Sequence, residues 1–289
     1  MFADALEKAD VFTHPVVISS VDTQGKVNCG CGAFIVLNSD GWIATAGHVF
    51  DMVGLAQDHE KKRLKSEEEV SAIQSRVELK PKKARELIGR IPREPWIVHH
   101  EYFWNREDLV ARDIYTEVGC DIGVARLEPF DPSWIGKYPI LKNPKTPMRP
   151  GTSLCRLGFP FHDITATFDP ATKKFTFENG VLPIPRFPND GIHTQVIIWK
   201  NPDGTTGKFI QTSTPGLKGQ SGGPIFDIDG NIWAVQSKTR SIPLDFQPTI
   251  KRDGKEYIEH QFMNVGMGGH VEELIRILDA RGIKYQLSA

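Results

Sequence analysis

The sequence is short of cysteine, has no surplus charge of either sign and contains no long apolar run. Its four cysteines are Cys29, Cys31, Cys120 and Cys155. Cys29 and Cys31 are one residue apart, a poor geometry for bridging each other. No cysteine pair two to four apart is followed by a second pair or by histidines, which excludes the common structural zinc sites. Four reduced thiols are expected, with a Cys120–Cys155 bridge left open. The formal net charge is -1. Nothing global therefore draws the chain to nucleic acid or to an anionic membrane. No segment reaches the length of a membrane span. The first ten residues carry Asp4, Glu7, Lys8 and Asp10 where a secretory leader needs a basic start and an apolar core, so a cytoplasmic location is expected. No internal repeat is visible. Asp58-His59-Glu60 and His99-His100 lack a supporting metal constellation and read as solvated surface. Gly266, Gly268 and Gly269 do not form a strand–helix phosphate pattern, so neither metal nor cofactor is expected.

Turn formers are plentiful, with Gly 26 and Pro 20, which favours β structure over a helical bundle. Short apolar, β-branched runs follow: Val16–Val21, Ala33–Leu37, Trp42–Ala46, Ile122–Leu127, Ser153–Gly158, Val196–Trp199, Lys208–Thr212, Ile225–Asp227 and Ile232–Ser237. Asn38-Ser39-Asp40-Gly41 and Asp229-Gly230 are hairpin turn signals. This density of short strands predicts an all-β barrel or sandwich. Two segments break the pattern. In 57–93, Ser66 with Glu69 reads as a capping box, and Val70, Ile73 and Val77 share one helical face. Pro81 would stop that helix, and Ala84, Leu87 and Ile88 would form a second. Eleven Lys/Arg against seven Asp/Glu make this insertion basic, a candidate docking surface for a protein partner or a plain solvated decoration. Val271–Leu278 predicts a C-terminal helix stopped by Gly282. The proline-rich stretch 131–150 reads as a linker between an N-terminal half, 11–130, and a C-terminal half, 151–289.

Three places carry chemistry. In Gly219-Gln220-Ser221-Gly222-Gly223-Pro224, small residues let the chain turn sharply around a serine. A serine hydroxyl is a weak nucleophile that needs a base, and its oxyanion needs preorganised amide donors, here Gly219 and Ser221. Thr45-Ala46-Gly47-His48 ends an apolar strand with a histidine where a cleft edge could hold it. Asp121 opens the apolar strand Ile122–Leu127 and could fix the His48 tautomer. Asp113 and Asp108 are rivals, but neither starts a clear apolar strand. Each place also has a bland reading, as a glycine-rich turn, an incidental histidine or a strand boundary.

The order His, Asp, Ser resembles that of the chymotrypsin/trypsin-like serine peptidases. Thr45–His48 resembles the family's Thr-Ala-Ala-His or Thr-Ala-Gly-His, and Cys120–Leu127 its Asp-Ile-Ala-Leu strand. Gly219–Pro224 resembles its Gly-Asp-Ser-Gly-Gly-Pro. The resemblance runs from Val16 to Leu278, outside the insertion. It implies two perpendicular six-stranded antiparallel β-barrels with a catalytic cleft between them and a polypeptide substrate. It implies His48, Asp121 and Ser221 as catalytic residues. Thr214, Pro215 and Gly216 would form a wall of the specificity pocket, and strand Gln236–Lys238, continuing to Thr239, would pair with substrate. Ser237 would donate to Asp121. Gln220 replaces the acid that pairs with a newly cut N-terminus in the digestive enzymes, so activation by cleavage is not expected. No cysteine follows His48 to make the flanking disulfide of secreted members. These departures resemble bacterial or intracellular trypsin-like peptidases. Pro215 stands six residues before Ser221 where a basic-specific enzyme needs an acid, so Arg or Lys before the cut is not expected. The rival functions are a catalytically silent binding module and a peptidase kept latent in a larger assembly.

Overall fold

The computed structural model describes residues 2–76, 78–91 and 94–289. The first sheet holds β1 (Thr13–Asp22), β2 (Val27–Val36), β3 (Trp42–Ala46), β4 (Ile97–Phe103), β5 (Val110–Glu117) and β6 (Ile122–Glu128). Its order is β4-β1-β2-β3-β6-β5, antiparallel throughout and curled. Strand alternation puts Phe34, Ile43, Ala125 and Leu127 on one buried face. The hairpin signal before β3 works through Asn38, whose Oδ1 accepts from the amides of Asp40 and Trp42.

The stretch read as a linker carries a short strand, β7 (Ile140–Leu141), which joins the second sheet. The second half contains β8 (Ser153–Gly158), a hairpin of β9 (Ala166–Asp169) and β10 (Lys174–Phe177), β11 (Phe187–Lys200), β12 (Thr206–Thr212), β13 (Pro224–Phe226) and β14 (Ile232–Pro243). A second small hairpin, β15 (Thr249–Arg252) and β16 (Lys255–Ile258), precedes β17 (Phe262–His270), and β18 (Gln286–Leu287) ends the chain. Strands β13-β8-β11-β12-β17-β14 are consecutive neighbours, and β14 pairs back onto β13, closing a six-stranded barrel. Leu154, Ile210, Ile225, Trp233 and Ala234 fill it. A larger core joins the halves, with Ile43, Val124 and Leu127 of the first packed with Leu157 and Phe226 of the second.

Among the described residues four α-helices complete the fold: α1 (Ala3–Phe12), α2 (Asp51–Gln74), α3 (Pro81–Gly89) and α4 (Val271–Ala280). Helix α1 is not anticipated from sequence, yet Ala5, Ala9 and Phe12 lie on one buried face. Helix α2 departs from the expected start. Ser66 is an interior residue, because good helix formers continue on both sides of it and the helix is entered from the 3-10 turn Gly47–Phe50. Asp51 sits in its first turn, where negative charge complements the helix dipole. The helix ends at Gln74, well before Pro81, which instead occupies the first position of α3. Val77 and Arg93 of the expected insertion lie outside the described residues. No residue of α2 is buried, and pairs such as Arg63 with Glu60 and Glu67 support it.

Neither histidine segment is simple solvated surface. His59 Nδ1 accepts the Ile97 amide at 2.9 Å, tying α2 to β4. His99 packs on Phe168 and Phe175 of the β9–β10 hairpin. All four cysteines are free, so no Cys120–Cys155 bridge forms. Among the described residues no helix is long and apolar enough to cross a membrane, and no cluster of metal-binding side chains occurs.

Candidate active site

Strand β3 delivers His48 to the mouth of the cleft through a single 3-10 turn. Opposite it, Asp121 stands at the start of β6 with φ +53°, a left-handed conformation that aspartate tolerates better than most residues. That bend aims three acceptors at the histidine turn. The Asp121 carbonyl accepts the Gly47 amide at 3.0 Å, Oδ1 accepts the His48 amide at 2.9 Å, and Oδ2 lies 2.9 Å from His48 Nδ1. Ser237 Oγ donates to the same Oδ2. The ring hydrogen bond fixes the proton on Nδ1 and leaves Nε2 as the free basic nitrogen.

The electrostatics follow from these contacts. The Asp121 hydrogen bond holds the His48 pKa above the ordinary histidine value, against burial, which lowers it. The charges of Asp121 and Asp51 add to the rise, and Lys238 opposes it. Burial alone would push Asp121 up. The ring and charge of His48, the Ser237 hydroxyl and the His48 amide together outweigh it, so the carboxyl lies below its ordinary value.

Ser221 sits in a tight turn with Gly219 at φ +97° and Gly222 at φ +88°. A Cβ on Gly219 would lie 2.4 Å from the Phe159 carbonyl oxygen, and one on Gly222 2.1 Å from that of Ala33, so both positions require glycine. The turn is pinned at several points. Phe159 N donates to the Gly219 carbonyl, Gly222 N to that of Gln236, and Ala33 N of β2 to that of Ser221. The amides of Gly219 and Ser221 have no protein acceptor among the described residues, and so are free for an oxyanion. Ser221 Oγ donates to the Ser237 carbonyl at 3.4 Å. Gln220 is fully buried, its amide bonded to Leu217 N and the Phe187 carbonyl.

The remaining expected residues cluster beside this turn. Gly216 abuts the Gln236 side chain, and Thr239 Oγ1 donates to the Gly216 carbonyl at 2.6 Å. The two segments expected to wall the pocket therefore face each other. Thr214 and Pro215 are held from behind by Arg156. Lys238 Nζ lies over the rings of Trp199 and Phe209, at 4.7 and 4.9 Å. Beyond Gln236, whose amide and carbonyl pair with the Gly223 carbonyl and the Gly222 amide, strand β14 has no backbone partner on its β13 side among the described residues, leaving an edge for an extended peptide. Asp113, the rival carboxylate, is ion-paired with Arg126 at 3.2 Å. Sequence reading missed Arg156 and Asp51. Only Arg156 carried a signal, as a charge inside the otherwise apolar run of β8.

Two six-stranded β units with a paired His and Asp facing a serine turn define the two-barrel serine peptidase class. Residues 31–235 match the family model of the trypsin-like peptidase domain, and the chain belongs to that family. The fold is similar to that of the HtrA-type protease AlgW with a tripeptide, at TM-score 0.52 and 11% identity, covering 98% of this chain and 64% of that one. It is also similar to the Rv3671c protease from M. tuberculosis in its active form, at TM-score 0.50 and 12% identity, covering 98% of this chain and 86% of that one. The chain thus spans under two thirds of the length of the first. Comparison with curated proteins finds no match.

Proposed function

We propose that this protein is a serine endopeptidase that cleaves polypeptides through an acyl-enzyme on Ser221. The observation that carries the reading is the seating of His48 on Asp121 by both ring and backbone, beside a serine turn with two free amides. His48 Nε2 takes the proton from Ser221 Oγ as the oxygen attacks the scissile carbonyl. The amides of Gly219 and Ser221 stabilise the oxyanion. His48 then gives its proton to the leaving amine, and water, deprotonated by the same nitrogen, releases the acid. In this reading the two halves on either side of 131–150 each bring part of the machinery. The test is cleavage of a diverse peptide library by wild type and Ser221→Ala in parallel. Equal cleavage by both would end the proposal.

One observation favours a second reading, a peptidase held latent until substrate or a partner engages it. The Ser221 hydroxyl is bonded to Ser237 rather than to His48. Labelling of Ser221 by a fluorophosphonate, with and without a substrate-like peptide, separates the two. Acceleration by the peptide supports latency, and an equal rate removes it.

A further inference from the structure

Arg156 lies on β8, across from Asn189 on one side and Ile225 on the other. Its neighbour two residues back, Leu154, is part of the barrel filling, and Arg156 projects inward with it. The residue is only 2% exposed. Nη1 donates to the Thr214 carbonyl at 3.1 Å, the Thr214 hydroxyl at 3.2 Å and the Pro215 carbonyl at 2.6 Å, and Nη2 donates to the Thr212 hydroxyl. Nε is buried without a partner among the described residues. Every partner is neutral, and no salt bridge joins this guanidinium to a carboxylate among the described residues. Buried arginines are ordinarily paired with an acid, because an uncompensated charge in a low-dielectric interior is costly.

The position of this lone cation gives it meaning. It lies directly behind Thr214 and Pro215, in the wall beside the Ser221 turn. A Cβ on Gly266, in the adjoining strand, would come within 2.6 Å of its Nη2. At the front of the slot the Gln236 side chain packs against Gly216, its Nε2 donating to the Lys238 carbonyl at 3.4 Å. No acid occurs between Thr212 and Gln220. We propose that the slot takes an acidic side chain, Glu or Asp, at the residue before the cleaved bond, and that Arg156 determines this specificity. The proposal rests on the assignment of Ser221 as nucleophile, which makes this slot the one next to the cleaved bond. A carboxylate there supplies the charge that the barrel lacks, and at short range in a dry site the attraction is weakly screened. A lysine or arginine would be desolvated and repelled together.

The test begins with fluorophosphonate labelling of wild type, with Ser221→Ala as the blank, which examines the nucleophile alone. Peptides identical except for Glu, Asp, Gln, Asn, Ala or Lys before the scissile bond then report kcat/KM. The expected result is Glu or Asp at least about tenfold above its amide isostere, with Lys poorest. In Arg156→Met the Glu-to-Gln ratio should fall to about one. Labelling with a Glu-to-Gln ratio of one or less, or with Ala preferred, overturns the acidic assignment and leaves the nucleophile standing. If Arg156→Met does not fold, the wild-type ratio decides. If nothing is cleaved, fluorescence anisotropy of the same peptides on Ser221→Ala decides: tighter binding of the Glu peptide supports the proposal and equal binding overturns it. Absence of labelling counts against the nucleophile, and the binding comparison still judges Arg156.

Discussion

Asp121 holds His48 at two places at once, the backbone amide at Oδ1 and the ring nitrogen at Oδ2, each at 2.9 Å. The carboxylate thus positions both the turn that carries the histidine and its tautomer. Asp121→Asn would place an amide N–H where an acceptor is needed and favour the wrong tautomer. A loss in kcat on the order of 10^4-fold is expected, with the fold retained because asparagine also tolerates φ +53°. Asp113→Asn, which breaks only the ion pair with Arg126, should leave kcat within a few-fold. Steady-state kinetics on both variants check the pair, and the reverse ranking would move the orienting role to Asp113.

Ser221→Ala should lower kcat on the order of 10^4-fold or more, with His48→Ala comparable. The double variant should be little worse than either single one, because both residues serve one proton transfer. The double-mutant cycle measures this. Additive losses would mean that the two act in separate steps.

The pH profile follows from the charges around His48. The ring must be neutral to accept the serine proton, and its pKa is raised, so activity is absent at low pH and appears as pH rises through that value. The acidic limb of kcat/KM should therefore have its midpoint above the ordinary value of about 6.5. Asp51→Asn removes a charge that raises the pKa and should move the limb to lower pH. Lys238→Met removes one that lowers it and should move the limb to higher pH. Shifts in the opposite order would show that these residues act on His48 by some means other than charge.

Much of this arrangement is legible in the sequence, and the reasons are local. Trp42–Ala46 and Ser153–Gly158 are read with the bounds the structure has, because compact apolar runs between turn residues announce buried strands. His48 and Asp121 stand out because each occupies the end of such a run. Strands β4 and β5 were not read, since the polar His99, His100 and Glu101, and Arg112 and Asp113, hide them as flanking strands with half-exposed faces. The start of α2 was misplaced because a local capping pattern at Ser66 competes with helix propensity that runs through it. Arg156 illustrates what sequence alone does not carry. Its partners lie 58 and 59 residues away, and only closure of the barrel brings them together.

Gln220 marks where this molecule parts from the digestive enzymes. Its side chain is fully buried, with Oε1 accepting the Leu217 amide at 2.9 Å and Nε2 donating to the Phe187 carbonyl at 3.3 Å. Gln220→Glu would replace that donor with an acceptor facing a carbonyl, and no cation is among its partners. The carboxyl can avoid burying a charge only by staying protonated, which raises its pKa in the folded state above the usual glutamate value of about 4.3. A raised carboxyl pKa penalises the folded state at pH above the unfolded value and spares it below. The variant should therefore unfold close to wild type near pH 4 and at a clearly lower temperature near pH 8. The cost at pH 8 should be about 1–3 kcal/mol or more, that of an unsatisfied buried group. Because the same turn carries the amides of Gly219 and Ser221, kcat should fall over the same range. Thermal unfolding of both proteins across pH 4 to 8 is the measurement. A destabilisation that does not grow with pH would show that the new carboxylate finds a positive partner in this turn, as the acid of the digestive enzymes does.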